Sequence, residues 1–292
     1  MQMIDTQLAE TTLGPVEYAV VGTGAPVVVL HGSPGGIDAA ALMAGFLPRD
    51  RISAILLSRP GYLGTELGGR TTIDQQADLL AALLDHLGID RAGVFSWSGG
   101  GPAGYRLAVR HPDRVDALVA FAAVSQAYHL ADQDLGTRLM FTTRTGQWLM
   151  RLLAAHQPRQ YIAGALSGEG NLTKEQLAQR VEEVFADPVK RDFVLALGPT
   201  ASQDKARRLG YRNDLEQFGA ITSLELEKIL SPTLVIHGSA DSDVPPAHSS
   251  FAAATIPGAE LLTLDTGTHL ALFTHPDAPT AQAQVVEFLA QR

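Results

Sequence analysis

Three residue types that can share one nucleophilic reaction stand far apart in this chain: Ser98, Asp241 and His269. A serine hydroxyl is a poor nucleophile at neutral pH. It needs an imidazole to take its proton and a carboxylate to orient that imidazole. Ser98 lies in Val94-Phe95-Ser96-Trp97-Ser98-Gly99-Gly100-Gly101-Pro102, where an apolar run breaks into glycines. This pattern predicts a buried strand that turns sharply into a helix with one serine exposed at the apex. The flanking residues two positions away, Ser96 and Gly100, are small enough for so tight a turn, although serine replaces the usual glycine at the first. Ser96 is a poor rival nucleophile, because its own flank would include β-branched Val94, which suits the strand and not the turn.

The orienting acid and the base come from later loops. Leu234-Val235-Ile236-His237-Gly238-Ser239-Ala240-Asp241 reads as a strand followed by a loop that carries a carboxylate. Asp243 is the nearest competitor for that role, and Asp265 is a weaker one. Gly267-Thr268-His269 follows another strand and supplies the imidazole, whereas His275, just before Pro276, reads as an ordinary loop histidine. The order Ser98, Asp241, His269 is one in which this constellation recurs. Two backbone N–H groups are placed to hold a developing oxyanion. Gly99 N–H sits beside the serine at a helix N-terminus, where such groups are unpaired, and Ser33 N–H lies in the loop after another strand. Trp97 either lines a substrate pocket or packs the elbow. Arg59-Pro60-Gly61-Tyr62 is either a structural turn or a substrate contact. His31 and His237 both end apolar runs in His-Gly-Ser, but no metal-ligand spacing surrounds them, so no metal is expected.

The elements that must position these groups follow a regular rhythm. Strands are expected at Val27 to Leu30, Ile52 to Leu57, Ala92 to Ser96, Ala117 to Phe121, Thr233 to His237 and Leu261 to Leu264. Ile73, Ala77, Leu80, Leu84 and Leu87 repeat at helical spacing, with Thr72 to cap the start and Gly88 to end the helix. Pro102 fits the first turn of the helix after the elbow. Strands alternating with helices imply an α/β protein whose mostly parallel central sheet has helices on both faces. Sites in such sheets lie beyond the carboxyl ends of the strands, where Ser98, the loop from His31 to Gly36 and the loop after Ile236 all fall. Between Ser125 and Lys228 the strand rhythm stops. Helical patterns such as Leu139 to Leu153 and Lys174 to Phe185 fill this stretch, broken at Ser167 to Gly170 and at Asp187-Pro188, and a final helix is expected near Ala278 to Leu289.

Composition excludes several classes. A net charge of −9 over 292 residues argues against a nucleic-acid partner, and no basic cluster suggests a membrane surface. The chain has no cysteine, which removes disulfides and thiol nucleophiles and fits a cytoplasmic protein. No signal peptide is visible in the first ten residues. No apolar run is long enough to span a bilayer.

With these motifs in hand, the chain resembles the α/β-hydrolase superfamily. The resemblance covers nearly all of the sequence. It rests on His31-Gly32-Ser33-Pro34-Gly35, Ser96-Trp97-Ser98-Gly99-Gly100, Gly238-Ser239-Ala240-Asp241-Ser242-Asp243-Val244-Pro245 and Gly267-Thr268-His269. It implies a core of residues 1–124 and 229–292, with a helical cap over the site at 125–228. It also implies that His31 supports the oxyanion loop. A carboxylate just after the Ala117 to Phe121 strand is another option in the family, but Ser125-Gln126 offers none, which favours Asp241. Serine at position 98 argues against the dehalogenase and epoxide hydrolase branches, which use aspartate. The implied activity is serine hydrolysis of a small carboxylic ester without a cofactor. Lactone hydrolysis, carbon–carbon bond hydrolysis, acyl transfer to an alcohol and a non-catalytic binding role stay open. So does a proline iminopeptidase-like activity, whose glycine-rich loop resembles His31 to Gly36. Such an enzyme needs acidic cap residues for a free amine, and Glu169, Glu182 or Glu183 could serve. The oligomeric state is not readable.

Overall fold

The computed structural model describes residues 5–129 and 141–290. Its eight strands form one sheet: β1 (Gln7–Thr11), β2 (Gly14–Val21), β3 (Ala25–Leu30), β4 (Ile52–Leu57), β5 (Ala92–Trp97), β6 (Val115–Phe121), β7 (Thr233–Gly238) and β8 (Glu260–Leu264). The order across the sheet is β1-β2-β4-β3-β5-β6-β7-β8. From β4 to β8 every neighbouring pair is parallel, while β1 and β2 form an antiparallel hairpin on the edge. This is the expected sheet with one addition. The hairpin escapes the strand pattern because its residues are half exposed and interrupted by Glu10, Pro15 and Glu17.

Alternation along the central strands divides the interior into two layers. Val27, Val29, Phe95, Trp97, Val119 and Phe121 face one side, where they meet α1 (Ile37–Met43) and the last helix, α10 (Ala278–Ala290). Val28, Leu30, Val94, Leu118 and Ala120 face the other, against α2 (Ile73–His86), α3 (Gly101–Arg110) and α9 (Ala247–Thr255). Helix α2 begins as expected at Thr72, whose hydroxyl accepts from Gln75 N–H while the Gln75 side chain accepts from Thr72 N–H, a reciprocal cap. Gly88 lies at φ 66° just beyond its end, a conformation that glycine adopts without cost.

Between β6 and β7 the described residues include the α-helices α4 (Arg144–His156), α5 (Pro158–Gly168), α6 (Lys174–Ala186), α7 (Pro188–Thr200) and α8 (Arg208–Gly219). Leu139 and Met140, the start of the expected first helix, lie outside the described residues. Asp187 and Pro188 do not merely break the chain there: the Asp187 side chain caps α7 and Pro188 fills its first turn. Tyr161, Ile162, Leu166, Val184 and Val194 pack into the same apolar layer as β3 and β5. None of the helices described is long and apolar enough to cross a membrane.

Candidate active site

β5 ends at Trp97 and the chain turns directly into a short 3-10 turn and α3. Ser98 sits at this junction with φ 54°, in the left-handed region that a side chain rarely adopts. Such strain persists only where the surroundings over-determine it. Here a Cβ on Gly100 would fall 2.6 Å from the Leu30 carbonyl, so the turn must pass hard against β3. A serine fits at position 96 because Gly104 of α3 lies opposite: a Cβ there would come 3.3 Å from the Ser96 side chain. Ser96 Oγ itself is buried and donates to the Val119 carbonyl, away from any site.

The loops after β7 and β8 bring Asp241 and His269 together. Asp241 Oδ2 accepts from His269 Nδ1 at 2.8 Å and lies 3.1 Å from His237 Nε2. Its Oδ1 accepts from the N–H groups of Asp243 and Val244. Burial opposes ionisation of this carboxyl, but the nearby His269 charge and the bonds from His237 and His269 outweigh it, and its pKa falls to about 2. His237 is thus a support for Asp241, its other nitrogen being bonded to Ser249 Oγ at 2.6 Å. That support was not legible as such in the sequence. The far edge of the His269 ring carries Asp243, whose Oδ2 is 3.4 Å from Nε2. Burial opposes the charged imidazole, yet Asp241, Asp243 and Glu169 together raise its pKa to about 10. Asp265, the other carboxylate considered, accepts from Ser239 Oγ instead. His275 binds the Asp265 carbonyl, as suits a loop histidine.

Ser98 Oγ makes no hydrogen bond among the described residues, while Trp97 links its neighbourhood to the histidine. The Trp97 ring stacks at 5.6 Å on His269 and at 6.1 Å on Phe121. Trp97 is buried and its indole N–H has no partner.

Of the three acids considered for binding an amine, two point elsewhere. Glu182 pairs with Arg159 and Glu183 with Arg180. Glu169 does reach the site. Its carbonyl accepts from His269 N–H, and Gly170 bridges to Asp241, so the end of α5 is stitched to both loops. Its Oε2 is buried without a hydrogen-bond partner. Burial first, and then the charge of Asp243, raise its pKa to about 8. Glu169, Asp243 and His269 offer ligand atoms within 4.8 Å of one another, the set among the described residues with which a metal ion could be held.

The loop from His31 to Gly36 lies beside Ser98. His31 is buried and neutral: Nε2 accepts from Arg59 N–H at 3.0 Å, so Nδ1 carries the proton and donates to the Gly32 carbonyl. Burial, then the adjacent Arg59 charge, holds its pKa well below the usual value. Arg59 is 2% exposed and forms a buried ion pair with Asp214 of α8 at 2.7 Å, which makes the Arg59 to Tyr62 turn structural. Arg207, at the start of α8, donates to the Gly35 carbonyl at 2.6 Å. Beside it opens a cavity of about 540 Å³ lined by Asp38, Met150, Tyr161, Leu195, Gly198 and Arg207.

A sequence profile described as alpha/beta hydrolase fold matches residues 25–276. The chain belongs to the α/β-hydrolase family. A solved α/β-hydrolase fold protein from Nakamurella multipartita is 48% identical, with a TM-score of 0.96 over 98% of this chain and 99% of that one. An uncharacterized hydrolase of Bacillus subtilis is 26% identical across 88% of this α/β-hydrolase and 89% of its own length. A 2-hydroxymuconate semialdehyde hydrolase of Pseudomonas putida is likewise 26% identical, over 82% of this chain and 79% of its own.

Proposed function

We propose that this α/β-hydrolase is a serine hydrolase that cleaves a carboxylic ester through an acyl-enzyme on Ser98. One observation carries the reading: a buried Asp241–His269 pair faces the same strand ends as a serine held at φ 54°. In this scheme His269 takes the Ser98 proton as Oγ attacks the carbonyl, and Asp241 stabilises the resulting imidazolium. The N–H groups of Ser33 and Gly99 receive the oxyanion. His269 returns the proton to the departing alkoxide, and the alcohol leaves. Water, deprotonated by His269, then attacks the acyl-enzyme, and its breakdown releases the acid and restores Ser98. We assign residues 1–124 and 229–292 to the core and 125–228 to a cap. The position of Glu169 and α8 beside the site supports that division, and the cavity next to Arg207 is a candidate for the acyl group or the alcohol. Trp97, stacked on His269, forms one wall of the site in this scheme.

Glu169 favours a second reading in which the substrate carries an ammonium group near the scissile carbonyl. A buried carboxylate oxygen without a partner, next to Asp243, is a place for a cation.

A panel of p-nitrophenyl esters of increasing acyl length, run beside aminoacyl esters and a proline aminoacyl-amide, tests both readings with Ser98→Ala as control. Ester turnover that vanishes in the variant supports the first. Selective turnover of the amine-bearing substrates, lost in Glu169→Gln, moves the assignment to the second. Turnover retained by Ser98→Ala overturns both.

A further inference from the structure

Helix α8 belongs to the helical insertion, yet it touches both residues assigned to the oxyanion hole. Asp214 Oδ2 accepts from Ser33 Oγ at 2.5 Å, from Tyr62 OH at 2.6 Å and from Arg59 Nη2 at 2.7 Å, while Oδ1 accepts from Arg59 Nη1 at 3.0 Å. Arg59 completes the ring of contacts by donating to Ser33 Oγ at 2.8 Å and to the His31 and Gly32 carbonyls. One turn further along α8, Phe218 lies over the other donor. A Cβ on Gly99 would fall 2.9 Å from Phe218 Cζ and 2.8 Å from Ser33 Cβ, so helix, loop and elbow are in direct contact. Asp214 is 1% exposed.

We propose that Asp214 is a positioning residue that sets the Ser33 N–H for catalysis by gripping the Ser33 side chain, which makes α8 a working part of the oxyanion hole and not only a cover. The physical argument concerns rigidity. Ser33 follows Gly32 and precedes Pro34 in a loop whose Gly32 and Gly35 carbonyls already accept from Arg59 and Arg207, so the Ser33 side chain adds the contact that orients its own peptide. An oxyanion donor contributes only if it is already aimed when charge develops. The serine hydroxyl fixes that aim because it both donates to Asp214 and accepts from Arg59, which leaves the side chain one orientation. A contact of this kind acts on the tetrahedral intermediate and not on the bound ester, so its loss falls on kcat and spares KM.

The proposal rests on the acyl-transfer reading above, and its test separates the two. The variants are Ser33→Ala, Asp214→Asn and the double variant, compared by kcat, KM and affinity for an alkyl boronic acid that forms a tetrahedral adduct with a catalytic serine. Ser33→Ala keeps the buried Arg59–Asp214 pair and is the safer variant for folding. It should lower kcat by about tenfold to a hundredfold, less than the roughly 10²–10³ that outright removal of an oxyanion donor costs, because the donor stays but is less well aimed. KM should stay nearly unchanged, and boronate affinity should drop in proportion to kcat. Asp214→Asn should cost little more in the Ser33→Ala background, because both act through one contact. If Asp214→Asn does not fold, the boronate and kcat losses of Ser33→Ala still decide. Wild-type kcat in Ser33→Ala, a loss confined to KM, or losses that multiply in the double variant would overturn the proposal. A wild-type protein without Ser98-dependent turnover would overturn the underlying reading and this one with it.

Discussion

Asp243 Oδ2 stands 3.4 Å from Nε2 of His269, on the opposite edge of the ring from Asp241. The imidazole is therefore held between two aspartates, with Glu169 behind them. Each negative charge favours the protonated ring, and a base must be deprotonated to act. The acid limb of kcat/KM should accordingly lie above 6.5, the ordinary imidazole value, with activity still rising in mildly alkaline solution. Asp243→Asn removes one of the attracting charges, so it should move that limb to lower pH. Glu169→Gln should do the same only where Glu169 is ionised, above about pH 8. A pH profile of kcat/KM from pH 5 to 10 checks both, and an unmoved limb in both variants would show that these carboxylates do not govern the base.

The two aspartates should differ sharply in what their loss costs. Asp241 holds Nδ1 and with it the tautomer that leaves Nε2 free, whereas Asp243 only touches the working edge of the ring. Asp241→Asn should lower kcat by roughly 10⁴, the scale seen where the orienting carboxylate of such a set is neutralised. Asp243→Asn should cost less than about tenfold at its own optimum pH. The comparison needs only steady-state rates on one ester, and the reverse ranking would transfer the orienting role to Asp243.

Ser98 offers a stability test independent of any substrate. Its φ of 54° is costly for a residue with a Cβ and costless for glycine. Ser98→Gly should be more stable than Ser98→Ala by about 1 kcal/mol, a difference that urea unfolding resolves. Neither variant should turn over esters. Equal midpoints for the two would mean that the elbow stores no strain at this residue.

The parallel sheet was legible because its strands are buried on both faces and read as short apolar runs closed by glycine-rich loops. The edge hairpin was not, since Gln7–Thr11 and Gly14–Val21 bury only part of one side. The tight turn at Ser98 and the pairing of Asp241 with His269 were legible for a different reason. Each residue stands at the end of such a run, and type and position together narrow the choice. Glu169 could be put forward only as one of three acids, because what distinguishes it is the bridge from Gly170 to Asp241, a contact between distant segments. Asp214 gave no signal at all. Its role depends on a helix folding back over the loop at Ser33, and nothing in the local pattern of Arg208–Gly219 records that approach.

The same buried aspartate sets the last prediction. Asp214 is ringed by Arg59, Tyr62 and Ser33, and of these only Arg59 brings a positive charge. Arg59 and Asp214 side chains are 2% and 1% exposed. Replacing such a pair as a whole by apolar groups can be neutral, but removing one partner strands the other charge out of water. Arg59→Met should therefore destabilise the fold by about 3–5 kcal/mol, and Asp214→Asn in that background should recover part of the loss by removing the stranded charge. Chemical unfolding of the three proteins measures this directly. If Arg59→Met costs less than about 1 kcal/mol, or if Asp214→Asn makes it worse, then hydrogen bonds from Tyr62 and Ser33 already satisfy the carboxylate and the arginine acts only through its bonds to neutral acceptors, the His31 and Gly32 carbonyls, Ser33 Oγ and Gln76 Oε1.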